Sequence, residues 1–245
     1  MSRPRSDEPP AAWLSRGLSR TPPAVHLAVV LPVVIAIAAT AVQPWLPPGD
    51  LLRDSQVIAA AHGGASPAYG LLSNLGIIVV ALSTGAAAFG RLLLHGTAGL
   101  EPRLLGWIAV LSLALVLDDL LLLHEAATFG PSAGALFAAA YGLAFLRFVV
   151  RFRDAIVHDL DVGLLLLAVG SLAVSVVTDV VVAPTQASVL LEDGAKLLGL
   201  VAWSAFALRT ALFALGHLRT TSPGADAAPA RPAHREDSGG LRANR

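Results

Sequence analysis

The sequence contains no cysteine, which excludes disulfides, thiolate metal sites and a cysteine nucleophile. It is also poor in charge. Only 14% of its 245 residues are Asp, Glu, Lys or Arg, against about 25% in an ordinary soluble domain. The formal net charge is zero, so no general attraction to nucleic acid is expected. Lysine is all but missing: every basic residue except Lys196 is arginine, and Lys196 lies inside an apolar segment. No phosphate-binding glycine loop, GxSxG elbow, HExxH or repeated ExxH motif occurs.

What fills the chain is hydrocarbon. Apolar residues make up 55% of the sequence and mean hydropathy is +0.69. Apolar runs fall at 24–46, 68–94, 104–126, 132–152, 162–183 and 188–216. Each is long enough to cross about 30 Å of hydrocarbon at about 1.5 Å per residue. The expected fold is therefore all-α, a polytopic integral membrane bundle of six transmembrane helices over residues 24–216. Residues 1–23 carry Trp13, Leu14, Arg16, Leu18 and Arg20, a short basic amphipathic patch suited to the cytoplasmic interface. Residues 217–245 are rich in Ala, Pro, Gly and Arg without apolar periodicity, the composition of a disordered cytoplasmic tail. Ala38 to Ala41 has the small residues of a signal-peptide cleavage site, but apolar sequence continues to Leu46, so the segment reads as a span.

Arginine sets the orientation. Arg3, Arg5, Arg16 and Arg20 precede the first run, Arg91 and Arg103 flank the second connection, Arg147, Arg151 and Arg153 mark the fourth, and Arg209 and Arg219 end the last run. Of the other connections, one carries Arg53 and the rest carry no basic residue. Cations on alternate sides give both termini a cytoplasmic location in a cell membrane, by the positive-inside rule.

That orientation gathers the ionisable residues. Asp118, Asp119, His124 and Glu125 end the third run, Asp179 ends the fifth, and Glu192, Asp193 and Lys196 open the sixth. All fall in the outward half, roughly 2–12 Å deep at about 1.5 Å per residue. On a helical wheel Asp118 shares a face with Glu125, Asp119 shares another with Ser112, and Glu192, Lys196, Gly199 and Trp203 form one stripe. Ser171, Ser175 and Thr178 lead to Asp179 on the fifth helix, and Asn74 of the second is expected to complete the pocket. Such stripes cannot face lipid, where a charge costs at least about 3 kcal/mol.

Carboxylates in this set outnumber Lys196 and His124, and so many ionised together in low dielectric are not tenable. Either protons or a bound cation must neutralise them. Asp118, Glu125, Asp179, Glu192 and Asp193 are candidate ligands for a divalent cation, with oxygen donors suiting Ca²⁺, Mg²⁺ or Mn²⁺ better than Zn²⁺ or iron. Asp118, Asp119, His124, Glu125 and Lys196 are the candidate catalytic groups. Three classes follow, and the sequence favours the first slightly over the second. The first is a cation-dependent membrane enzyme acting on a lipid or small apolar ligand from the outer leaflet. The second is a proton- or cation-coupled carrier or receptor, and the third a membrane subunit whose cluster only fixes packing. Partners are the lipid bilayer and that ligand, with no nucleic acid. His62, in the outer segment from Asp50 to Gly64, reads first as a solvated loop residue and second as part of a lid.

Overall fold

The structure is a computed structural model that describes residues 21–97, 99–123 and 133–221. These residues form eight helices: α1 Pro23–Val42, α2 Pro48–Leu52, α3 Ser55–His62, α4 Leu71–Leu93, α5 Glu101–Leu121, α6 Ala133–Asp159, α7 Val162–Val181 and α8 Gln186–Thr221. His124 and Glu125, the basic segment as far as residue 20 and the tail from residue 222 lie outside the described residues. The last helix runs to Thr221 rather than ending at 216. The two short helices α2 and α3 occupy the connection between α1 and α4.

Five helices, α1, α4, α5, α7 and α8 as far as Gly216, are long and apolar enough to cross a membrane. The remaining apolar run falls in α6. Burial is inverted relative to a water-soluble domain. Leu27, Val42, Leu82 and Leu143 are 62%, 81%, 70% and 69% exposed, whereas Ser112 and Thr210 are 0% and 2% exposed. Hydrocarbon outside and hydroxyls inside is what a bilayer demands, since lipid offers polar groups no partner. The buried hydroxyls answer to the protein: those of Ser83, Thr84, Thr178, Ser204 and Thr210 donate to carbonyls one turn earlier in their own helices.

Helix α8 is the axis of the bundle. Its neighbour α4 runs parallel to it, with Gly76 against Leu197 and Leu200, Ser83 bonded to Ser204, and Gly90 against Ala211. The buried face of α4 is Gly76, Val80, Ser83, Ala87 and Gly90, a heptad spacing of small residues that brings two backbones close. Helix α5 runs antiparallel to α8: Asp119 meets Lys196, and seven residues back Ser112 meets Trp203 seven residues on. Helix α7 is antiparallel as well, with Leu172 beside Gly199 and Asp161 beside Arg209. Helix α1 lays Ile37 against Gly194 and Thr21 against Asp161, so it too opposes α8. These directions alternate along the chain, as consecutive spans must.

Aromatic residues close the centre. The Trp203 indole donates to Ser112 Oγ at 2.8 Å, and its ring meets Phe145, Phe148 and Phe206 with centroids 6.1, 6.2 and 5.7 Å away. Phe148 and Phe206 are fully buried, so α6 joins the bundle through this cluster. Gly199 permits the α7–α8 contact: a Cβ there would lie 2.6 Å from Leu172 Cγ and 3.1 Å from the Ala168 carbonyl oxygen. Gly199→Ala should therefore lower the thermal unfolding midpoint in detergent, at a cost of about 1–3 kcal/mol. Gly216→Ala meets nothing within 4 Å and should leave the midpoint unchanged or higher. Equal midpoints for the two variants would contradict the close α7–α8 approach.

Candidate functional site

At about 100° per residue, Asp193, Lys196, Leu197 and Leu200 share one face of α8. That face looks toward the first turns of α4. Gly76, without a side chain, lets Leu197 and Leu200 close on α4, while Ser73 one turn earlier adds a hydroxyl. Leu52, the last residue of α2, lies over them with 3% of its surface exposed. Leu52, Ser73, Gly76, Asp193 and Lys196 line a cavity of about 10 Å³, room for about one water molecule.

The central interaction is an ion pair, Lys196 Nζ to Asp119 Oδ1 at 3.0 Å, with the two side chains 26% and 11% exposed. The connection between α1 and α4 brings more charge. Asp54 lies in the electrostatic reach of both Lys196 and Asp119, and Arg53 in that of Asp193. Asp54 is itself held by the Ser73 hydroxyl, which donates to its Oδ1 at 2.6 Å. Asp193 Oδ2 is sealed from solvent and has no hydrogen-bond partner. An orphaned buried carboxylate oxygen is costly as an anion and much less so as part of a protonated carboxyl.

The carboxylate paired with Lys196 at 3.0 Å is Asp119 of α5, an acid of the third run, as the long ammonium arm turns across to the facing helix. Other expectations are corrected here. Glu192 is half-buried and, with Asp193 and Lys196, stays at this end of α8. Asp118 is buried and next to Asp119 in the same field. Asp179 is exposed: the buried face of α7 at this level is Ser175 and Thr178, which rotates Asp179 outward. Asn74 is exposed too, and Ser73 takes the place expected for it. His62 is not simply solvated; its Nε2 lies 3.1 Å from Asp50 Oδ2 and its ring stacks on Tyr69 at 5.2 Å. Among the described residues no three His, Cys, Asp or Glu side chains converge as metal ligands. Glu125, which completes the expected ligand set with Asp118, Asp179, Glu192 and Asp193, lies outside the described residues.

A second ion pair was missed. At the opposite end of α8, about 20 Å away along the axis, Arg209 Nε lies 2.6 Å from Asp161 Oδ2, and Thr21 Oγ1 donates to Asp161 Oδ1 at 2.7 Å. Asp161 precedes α7 and Arg209 reads in sequence as a topology marker, so neither signalled a contact. One larger space exists, an apolar groove of about 600 Å³ between α1, α7 and α8, walled by Ile37, Gly170, Ser171, Gly194, Ala195 and Leu198 among others. It lies on the face of α8 opposite to Asp193 and Lys196, so the backbone of α8 separates it from the charged cluster.

Residues 26–210 match the sequence profile of a family described as a domain of unknown function (DUF8692). No curated protein matches the chain, and no solved structure does.

The ion pair makes a direct prediction. Removing one member of a largely buried pair leaves the other uncompensated, at a cost on the order of 3 kcal/mol. Lys196→Met and Asp119→Asn should each lower the unfolding midpoint in nanodiscs, and the double variant should lose less than the two losses combined. Additive losses would show that the two side chains do not act as a pair.

Proposed function

We propose that this chain, which belongs to the DUF8692 family, is a proton-coupled multi-pass membrane carrier whose exchanging group is the carboxylate cluster around Lys196. The observation that carries this reading is a charge imbalance. Among the described residues, the three acids Asp54, Asp119 and Asp193 act on one another or on the cations Arg53 and Lys196 within one field. Low dielectric does not tolerate that surplus of negative charge. A proton on one carboxyl relieves it, and Asp193, with its sealed and unpartnered oxygen, is the residue we assign to hold it.

Room favours a proton over the alternatives. A space of about 10 Å³ beside Asp193 and Lys196 admits about one water, whereas a hydrated divalent cation brings several ligands of its own. A lipid substrate fits the groove by size and polarity, but there it lies across α8 from Lys196, away from the groups that would act on it. The hydroxyls of Ser112, Ser83 and Ser204 and the Asp161–Arg209 pair continue polar character along α8 toward its other end, which a carrier requires and a one-sided enzyme does not.

The reading includes six spans with both termini cytoplasmic and the Lys196 end outward, on the arginine distribution. In the naturally cysteine-free chain, Arg153→Cys and Thr185→Cys should label with an impermeant thiol reagent from opposite sides of the membrane. Labelling from one side would overturn the topology. For the function, protein reconstituted in vesicles with an entrapped pH indicator should dissipate an imposed proton gradient faster than protein-free vesicles. Asp193→Asn should abolish the increment and Asp179→Asn should keep it. Dissipation no faster than in empty vesicles, or equal rates for both variants, would refute proton coupling at this site.

A further inference from the structure

We propose that the connection between α1 and α4 is a gate, a two-helix cap that seals the Lys196 cavity from the outer side and completes its charge only when closed. The inference rests on the proton-coupled reading for what passes the gate, but its geometry stands by itself. The cap reaches three helix ends. Gly49 lies beside α8, where a Cβ would sit 3.7 Å from Val189 Cγ1. The Gln56 side-chain amide donates to the Leu120 carbonyl at the end of α5 at 3.0 Å. Ser73 of α4 donates to Asp54, and the Gly70 amide donates to the Asp50 carbonyl at 2.8 Å.

Closure does two things at once. It inserts Leu52 as the apolar wall of the cavity, and it sets Arg53 and Asp54 in the field of Asp193 and Lys196. Lifting the cap would remove one cation and one carboxylate from the cluster and admit water to Asp193. The seal and the electrostatics are thus carried by three consecutive residues.

The fastening suits reversible motion. Of the apolar side chains of the short helices, Pro48, Leu52 and Ile58 are buried; hydrogen bonds supply much of the remaining attachment. The two short helices are tied to each other by His62 Nε2 on Asp50 Oδ2 at 3.1 Å, backed by the stacked Tyr69 ring. The cap therefore moves as one piece, and its latches to the bundle are the Gln56–Leu120 and Ser73–Asp54 bonds. Gly63 and Gly70 bound the return segment with φ of 66° and 64°, a conformation glycine adopts without strain. Gly70 also allows the segment to cross itself, since a Cβ there would lie 2.6 Å from the Ser55 amide nitrogen.

The absence of native cysteine makes the test clean. Leu72 lines the cavity beneath the cap, so Leu72→Cys reports access to an impermeant thiol reagent added outside. In the full chain in nanodiscs, removing a latch by adding Gln56→Ala or Ser73→Ala should raise its labelling rate about tenfold, as loss of a hydrogen bond between cap and helix end shifts a local opening equilibrium. A Gly49→Cys/Val189→Cys disulfide, verified by mass, should slow labelling of Leu72→Cys by a similar factor, and reduction should restore it. Unchanged labelling in the latch variants, or equal rates with the disulfide closed and reduced, would overturn the gate. Because access is read without proton movement, a gate that responds beside vesicles that carry no protons would discard the carrier reading and keep the cap.

Discussion

A charge in hydrocarbon must be met by the protein, and the packing around α8 follows from that constraint. Lys196 at one end of this helix requires a carboxylate, and Asp119 supplies it from α5. Arg209 near the other end requires one too, and Asp161 supplies it from the start of α7. Between them Trp203 and Ser204 place an indole and a hydroxyl against Ser112 and Ser83. The polar groups on α8 thereby name three neighbours, α5 through Asp119 and Ser112, α4 through Ser83, and α7 through Asp161. The small face of α4 and Gly199 then let the backbones approach closely enough for these bonds to form. In lipid there is no hydrophobic drive for helices to associate, so such polar contacts and close packing are what define the bundle.

The same constraint turns the Lys196 end from a structural pair into a candidate for chemistry. A single Lys–Asp pair would be self-sufficient. Here further carboxylates lie in the field of the pair, and the connection between α1 and α4 adds both a cation and another acid. In the proposed reading a proton balances the cluster, and the space beside Asp193 has room for about one water. The apolar groove lies behind α8, so anything that occupies it can influence the cluster only by moving the helix they share. Motion of α8 would in turn shift both ion pairs, which gives the two ends of the bundle a mechanical connection through one rigid element.

Much of this was legible in the chain. The stripes Ser112–Asp119 and Lys196–Trp203 have equal spacing on consecutive turns, and the structure pairs them face to face. Helical phase is enough to find residues that lipid cannot accept. It does not say which of several acids a flexible lysine arm will meet, and only the structure shows Asp119 at 3.0 Å. Nor can it fix the rotation of a helix with polar residues on more than one side, which is why Asp179 was placed inside and lies outside. Loops carry no period at all. Arg53, Asp54 and the His62–Asp50 contact act through tertiary position, and their local sequence does not show that Leu52 comes to lie beside α4 and α8. Asp161 escaped notice for the same reason, as a loop acid whose partner lies a whole helix away.

The claim on which this account depends is that Asp193 carries a proton in the resting protein. Infrared spectroscopy of the protein in nanodiscs at neutral pH measures this directly, through the carbonyl stretch of a protonated carboxyl and its shift in heavy water. The account predicts such a band in the wild-type protein and in Asp179→Asn, and its loss in Asp193→Asn. A wild-type spectrum without the band, or a band that survives Asp193→Asn unchanged, would contradict it.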